Sequence, residues 1–412
     1  MNKIDCVTLD NGLKVYFYLD KKRHSTLFNY ITLFGGSTLD FSIDGKEYHM
    51  QEGVAHILEH YVFECNNLGN ISKLLSEKDI FPNASTSLNF TNYHFNATNN
   101  VEFGIETILR TVNDVSFDEN KLKKIKEPIY QEIRGRKSHP FYQLNIDLYD
   151  SLFSSIKYRN VGGDICDVEK TDISDIKTCY NAFYQPSNQI IVVAGNFDKE
   201  KILNLIKNFY KDISLEKHTI VKLDLDETIN VKKDFSVIKH PNINYVEVAF
   251  KFDISKFSPK ELVNLDFYLG EFADEYFGVS SPLYKKLIKN EIISGGIKFY
   301  DCILHKYLII RVGTYTNKHN EFKEELLKSI KNLNYFDEEL FNLNMKQNIL
   351  NIILRSERIG DTIHPFIDNL TSFNYPYLDT VSDIKNLSFD EFCNVIKSLD
   401  FSNYTVVEMI TD

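Results

Sequence analysis

Two histidines and a glutamate, His56, Glu59 and His60, lie close together in the segment GVAHILEHYVFE. In an α-helix, which turns by about 100° per residue, His60 falls about 40° to one side of His56 and Glu59 about 60° to the other. Two imidazoles one turn apart can bind a single Zn²⁺, and a carboxylate on that turn can take a proton from water at the metal. The spacing therefore predicts zinc-assisted hydrolysis.

The helix that would carry these residues has an apolar side. Val54, Ile57, Leu58 and Tyr61 of the same segment point away from the histidines, which predicts that they form the buried face. A chain with 11 histidines is expected to contain HxxEH by chance only on the order of 0.02 times. A coincidental match on a surface helix is therefore the weaker interpretation.

Length and composition bound the class of protein. A chain of 412 residues exceeds what one hydrophobic core usually supports, which predicts two domains. Its 47 basic and 58 acidic side chains give a net charge of −11, which argues against nucleic acid or an anionic membrane as the main partner. No run of 18 apolar residues indicates a membrane span, and the N-terminus lacks the apolar core of a signal peptide. The six cysteines form no CxxC pair and indicate reduced thiols, so we expect a cytoplasmic protein.

Hydrophobic periodicity predicts an α+β fold of two similar halves, each a mainly antiparallel sheet with helices packed on one side. Strands are predicted at 7–9, 13–18, 28–34, 83–87, 91–97 and 189–194, and again at 244–252, 296–299 and 307–313. Helices are predicted at 51–64, 71–78, 102–113, 119–136 and 199–209, and again at 262–276 and 320–332. The charged stretch 212–233 is predicted to link a first domain, 1–211, to a second domain without a metal motif, 234–412.

Several further motifs accompany HxxEH. They are NASTS and TNYHF at 83–95, IYQEIR at 129–134, FYQPSN and VVAGNFD at 183–198, and SSPLYKKL at 280–287. Together they resemble the M16, or pitrilysin-like, metallopeptidases, whose HxxEH is the inverzincin motif, and among these the short two-domain members. The resemblance runs from about residue 5 to about residue 320 and is weak beyond.

The resemblance implies the rest of the site. In that family a third zinc ligand follows the second histidine by seventy-odd residues, and Glu132 matches it here. The edge strand that contains Asn83 and Ala84 would bind substrate as an added β-strand. The implied function is a zinc-dependent endopeptidase, with Glu59 as general base, that cleaves peptides or unfolded segments. Maturation of a precursor peptide is one such role.

Two departures from the family pattern concern activity and assembly. Active relatives often carry a second glutamate seven positions before the ligand, where this chain has Ile125. Larger relatives have an arginine and a tyrosine that grip substrate, and the matching positions here are Ile288 and Gly295. Arg311 and Tyr315 are a possible internal replacement. The resemblance otherwise implies an M16-like partner subunit that supplies the grip in a heterodimer.

Two other functions stay open at this point. The chain could be a non-catalytic subunit that completes the chamber of a heteromeric peptidase, although such subunits have usually lost HxxEH. It could also be a zinc protein unrelated to proteolysis, which explains His56 and His60 but leaves Glu59 without a role.

Overall fold

The computed structural model describes residues 4–156, 160–211, 213, 219–223, 226–331, 333–378 and 380–411. In chain order the strands are β1 Asp5–Thr8, β2 Lys14–Leu19, β3 Thr26–Thr32, β4 Asp40–Ile43, β5 Lys46–His49, β6 Phe81–Thr86, β7 Thr91–Ala97, β8 Gln189–Gly195, β9 Ile220–Lys222, β10 Phe235–Lys239, β11 Tyr245–Asp253, β12 Lys298–Leu304, β13 Tyr307–Tyr315 and β14 Tyr404–Ile410. The helices are α1 Val54–Glu64, α2 Ile71–Ser76, α3 Val101–Asn113, α4 Glu119–Lys137, α5 Tyr142–Leu152, α6 Ile165–Lys170, α7 Ile173–Phe183, α8 Lys199–Tyr210, α9 Pro259–Phe277, α10 Pro282–Lys289, α11 His319–Lys331, α12 Glu338–Arg355, α13 Ile359–Phe373, α14 Val381–Asn386 and α15 Phe389–Ser398.

The first large sheet has six strands in the order β1-β2-β8-β3-β7-β6. Strands β2 and β8 run parallel, and the other neighbouring pairs are antiparallel. The predicted DNG turn joins β1 to β2, and Gly12 supplies its left-handed conformation, with a φ of +89°. Strands β3 and β8 are buried along their whole length, so they form the centre of the sheet.

The second large sheet has five strands in the order β10-β14-β11-β13-β12. Strands β10 and β14 are parallel and the remaining neighbours are antiparallel. This repeats the order and the sense of β2-β8-β3-β7-β6. The predicted α+β fold with two similar, mainly antiparallel sheets is confirmed. None of the helices in the described part of the chain combines the length and the hydropathy of a bilayer-spanning segment.

The chain forms two compact units, each built from three segments that alternate along the sequence. The first unit takes its residues from 1–136, 160–224 and 356–372, and the second from 137–159, 225–355 and 373–412. The predicted domain limits, 1–211 and 234–412, stay a prediction. Within the predicted linker, residues 212, 214–218 and 224–225 lie outside the described residues, and β9 pairs with β4.

Helix α13 reaches the first unit from late in the chain. Val15 and Phe17 of β2 face the main core, and Tyr16 lies on the opposite side of the strand. There the ring of Phe366 of α13 meets the ring of Tyr16 edge-on, with centroids 5.4 Å apart. The first sheet is therefore covered on the Tyr16 face as well, by a helix that the sequence pattern left unassigned.

Two glutamates are buried on α9 in the second unit. Glu271 and Glu275 are 2% and 0% exposed, and each has one oxygen with no hydrogen-bond partner among the described residues. Asn348 Nδ2 donates to Glu271 Oε1 at 2.7 Å, and the backbone N–H of Asp337 donates to Glu275 Oε2 at 3.3 Å. Burial raises the pKa of each carboxyl to about 7, because the charged form loses its hydration.

Stability should therefore fall as the pH rises from about 4.5, the ordinary pKa of a glutamate, to about 7. The folded state binds more protons than the unfolded chain in this window, so the stability present at low pH is lost as the folded pKa is passed. Glu271→Gln stays neutral and should flatten the fall, by roughly 3 kcal/mol at most. Urea unfolding at pH 5 and pH 8 measures the change, with the exposed Glu324→Gln as control. An undiminished fall in the Glu271→Gln variant would contradict the prediction.

Candidate metal centre

Helix α1 is held on the core of the first unit by one fully buried face. That face consists of Val54, Ala55, Ile57, Leu58, Tyr61 and Val62. Each large aliphatic side chain contributes roughly 1.5–3 kcal/mol when it is fully buried, so the orientation of the helix is strongly determined. The other side of α1 carries His56 and His60, whose ring centroids lie 4.7 Å apart.

Glu132 approaches the two histidines from α4. Its helix packs on the same core through residues at helical spacing, Leu122, Ile125, Ile129 and Ile133. Glu132 Oε2 lies 3.5 Å from His56 Nε2, and Glu132 Oε1 lies 3.6 Å from His60 Nε2. Ile125, one of the departures from the family pattern, is a buried core residue.

The three side chains offer donor atoms that all lie within 4.8 Å of one another. No other group of three His, Cys, Asp or Glu residues in the described ranges comes so close together. Ligands about 2.05 Å from a tetrahedral zinc ion lie about 3.4 Å from each other. The separations of 3.5 and 3.6 Å, each to a different oxygen of Glu132, are close to that value, and a Zn²⁺ ion is of the size that two imidazoles and a carboxylate at these distances can bind.

The electrostatics of the group favour the neutral imidazole that metal binding requires. Burial, together with the nearby charges of His60 and Arg136, lowers the pKa of His56 to about 3. His56 Nδ1 is buried and has no hydrogen-bond partner in the part of the chain that the structure describes. Its Nε2 faces Glu132, so the ring turns this nitrogen towards the centre of the group.

Glu59 lies on the same helix but is almost fully buried, with 8% of its surface exposed. The hydroxyl of Thr86, at the end of β6, donates to Glu59 Oε2 at 2.7 Å. Burial raises the pKa of Glu59 by more than this hydrogen bond and the nearby His60 lower it. The hydrogen bond orients the carboxyl, and a raised pKa is the direction that suits a group exchanging protons near neutral pH.

Asn83 and Ala84 lie on β6, the outer strand of the six-stranded sheet. Asn83 pairs with His94 and Ala84 pairs with Tyr93 across the β6–β7 ladder. The backbone N–H of Ala84 donates to the side-chain oxygen of Asn83 at 3.0 Å. The structure therefore places both residues at a sheet edge, on the strand that also supplies Thr86.

Thr86 and Arg136 are neighbours of the site that the sequence pattern did not single out. Thr86 belongs to a recognised motif, but its contact with Glu59 joins positions 27 residues apart and has no local signal. Arg136 follows Glu132 by four residues, the spacing of neighbours on one helical side. That spacing could have identified it as a group near the site.

Arg311 and Tyr315, the possible internal grip residues, are both engaged within the second unit. Arg311 pairs with Glu247 and its Nη2 donates to Asn145 Oδ1 at 2.8 Å. Lys298 Nζ donates to the Tyr315 hydroxyl at 3.3 Å. The arginine side chain is largely buried in its ion pair, which disfavours a role in gripping substrate.

Comparison with known proteins covers both halves of the chain. Residues 45–156 match the model described as insulinase, peptidase family M16, and residues 171–348 match the model described as the peptidase M16 inactive domain. The chain belongs to the M16 family. His56, Glu59, His60 and Glu132 all lie within the first matched segment, and the family predicted from the motifs is confirmed.

Relatives of this M16 chain include the uncharacterized zinc protease YmfH of Bacillus subtilis, 26% identical over 326 residues, which are 77% of this chain and 75% of YmfH. An M16-like peptidase structure from Alicyclobacillus acidocaldarius shares the fold with a TM-score of 0.90 at 20% identity, covering 100% of this chain and 99% of that one. The structure of pitrilysin matches with a TM-score of 0.74 at 14% identity, covering 99% of this chain but 45% of pitrilysin.

Replacing Glu132 with alanine tests whether it is a ligand of this M16 chain. Substituting a residue that only orients a ligand lowers metal affinity by roughly 10–100-fold. Because Glu132→Ala removes one of three donors, it should lower zinc affinity by more than that. Glu127→Ala, at an exposed position of the same helix, is the matched control and should bind like the parent. Competition with a chromogenic chelator measures both. Parental affinity in Glu132→Ala would show that the third ligand lies elsewhere.

Proposed function

We propose that the protein is a zinc-dependent endopeptidase in which His56, His60 and Glu132 bind the metal and Glu59 is the general base. The observation that carries the proposal is the convergence of three donor atoms beside a buried, oriented carboxylate. Bound there, Zn²⁺ would supply a Lewis acid that polarises the substrate carbonyl and makes water nucleophilic at neutral pH.

Glu59 performs the proton transfers in this proposal. It takes a proton from the attacking water and returns it to the departing amine. The raised pKa brings its carboxyl closer to the working pH, which lets the same group accept and then release a proton. The hydrogen bond from Thr86 fixes the carboxylate before substrate arrives, so less ordering is needed during reaction.

The substrate in this proposal is an extended peptide that lies along β6. An outer strand offers backbone N–H and C=O groups to an added strand, and such pairing reads the peptide backbone more than its side chains. Asn83 and Ala84 would form part of that edge, where a substrate carbonyl can replace the Asn83 oxygen on the Ala84 N–H. Unfolded segments and precursor peptides fit a site of this kind.

Glu59→Gln separates metal binding from proton transfer. The amide keeps the size of the side chain and can still accept the Thr86 hydrogen bond, so zinc affinity should stay at the parental level. Loss of the base should lower hydrolysis of an unstructured peptide by roughly 10²–10⁴-fold. The control is Glu64→Gln, at the exposed end of the same helix. Parental turnover by a zinc-loaded Glu59→Gln preparation would contradict the role of Glu59 as general base.

The second candidate is a non-catalytic subunit of a heteromeric peptidase. It is favoured by the match of residues 171–348 to a domain described as inactive, and by the buried Ile125 in place of a glutamate. A subunit of that kind would bind peptide without cleaving it, with or without metal. The peptide assay of the Glu59 variants separates the two functions, because only the enzyme loses turnover on substitution.

We infer a partner subunit of M16-like fold from what the second half lacks. Ile288 is partly exposed but apolar, and Gly295 has no side chain although an added Cβ would meet nothing within 4 Å. Neither position supplies a polar side chain that could bind substrate. Arg311 is bound by Glu247. Pitrilysin, of which this chain covers 45%, is about twice as long, which supports a heterodimer of two such halves. The free thiols of all six cysteines support a cytoplasmic location for that assembly.

The purified chain alone should bind zinc yet cleave peptide slowly, because substrate misplaced by about 1 Å reacts about 10²-fold more slowly. A co-expressed M16-like chain without HxxEH should form a 1:1 complex with it and raise turnover. Size-exclusion chromatography with light scattering, followed by kinetics on each peak, measures both. Full activity in a verified monomer, with no gain from the partner, would show that no grip is missing.

A further inference from the structure

A short glycine-containing turn lies against the start of α1. Gly53, the residue that caps this helix, has a φ of +85°, and an added Cβ there would lie 2.6 Å from the carbonyl oxygen of Gly162. Gly163, with a φ of +64°, would bring a Cβ within 2.7 Å of the Glu52 carbonyl carbon. Carbon atoms in contact normally lie about 3.5–4.0 Å apart, so the two backbones touch without room for a side chain.

The other side of this turn lies against the end of α4. A Cβ added to Gly162 would lie 2.6 Å from Cζ of Arg136 and closer still to two of its guanidinium nitrogens. Gly162 is not among the residues with a left-handed backbone, and the three atoms nearest to an added Cβ all belong to the guanidinium of Arg136. Gly162 is therefore held between Gly53 at the start of α1 and Arg136 on α4.

Hydrogen bonding by two of its three side-chain nitrogens does not explain why an arginine occupies this place. Its Nε and Nη2 atoms are buried and have no hydrogen-bond partner within the described ranges. Burying unpaired donors of a charged group is costly. The side chain is also close enough to His56 for its charge to act on that imidazole. What the guanidinium does provide is a rigid, flat surface packed against backbone.

We propose that Arg136 and Gly162 form a brace that sets the separation of α1 and α4, and so positions Glu132 against His56 and His60. The inference rests on the proposed function, in which these three residues bind zinc. Metal–ligand distances tolerate only about ±0.2 Å, and the donors come from two helices. Arg136 is a positioning residue, one turn beyond Glu132, and it acts through the turn at Gly162.

A double-mutant cycle tests the brace. Gly162→Ala forces a methyl group against the guanidinium and should weaken zinc binding by roughly 10–100-fold, the scale for groups that orient ligands. Arg136→Ala removes the brace and should weaken binding on the same scale. In the Arg136→Ala background, Gly162→Ala meets no guanidinium and should change affinity by less than about twofold. Chelator competition gives each affinity, and thermal melting of the metal-free proteins gives stability separately.

Two further variants keep the test decisive. Gly135→Ala, where an added Cβ meets nothing within 4 Å, controls for a glycine substitution on α4 and should bind zinc like the parent. Arg136→Lys keeps the charge but loses the planar group, and should bind zinc as weakly as Arg136→Ala. Parental affinity in Arg136→Lys, or equal effects of Gly162→Ala in both backgrounds, overturns the brace. A parent chain that binds no zinc overturns the proposed function itself, whereas normal binding by the parent and by every variant overturns the brace alone.

Discussion

The structure depends on the close approach of two helices that are far apart in sequence. Glu132 follows His60 by 72 residues, yet their side-chain atoms lie 3.6 Å apart. Each helix reaches this position by burying an apolar face in the same core, through residues such as Leu58 and Tyr61 on α1 and Ile129 on α4. Hydrophobic burial is not directional, so it brings the helices together without setting their separation to a fraction of an ångström.

Electrostatics then determines which ligand the site between α1 and α4 can bind. The site gathers two imidazoles and the carboxylates of Glu132 and Glu59 in a half-buried place, where charge is poorly screened. Burial keeps His56 neutral, so the carboxylates are not neutralised by a histidine proton on that ring. A bound divalent cation would balance them, and the same desolvation would strengthen its attraction for the ligands. The chemistry proposed for the site thus follows from its burial.

The part of the site that could be predicted from sequence is the part with local spacing. The angular positions of His56, Glu59 and His60 follow from helix geometry, and all four residues predicted for the buried face of α1 are buried. Glu132 could be identified only through resemblance to a family, because no periodicity connects residues 72 positions apart. Thr86 was visible as part of a motif, but its hydrogen bond to Glu59 depends on how β6 packs beside α1.

Contacts between distant segments could not be predicted for the same reason. Helix α13 is distant in sequence from β2, yet Phe366 packs on Tyr16. The contact of Arg136 with Gly162 is visible only once α4 and the turn are placed in space. In the second unit, the sequence of α9 has ordinary helical spacing, and nothing in it reveals that Glu271 and Glu275 are turned inward.

X-ray absorption at the zinc edge, on the purified full chain with one equivalent of Zn²⁺, examines the metal centre directly. The expected spectrum shows two imidazole ligands with Zn–N distances of about 2.0–2.1 Å and oxygen ligands at about 2.0–2.2 Å. Substitution of His56 should remove one imidazole from that spectrum. A sulfur ligand at about 2.3 Å, or a spectrum unchanged by loss of His56, would contradict a centre built from α1 and α4.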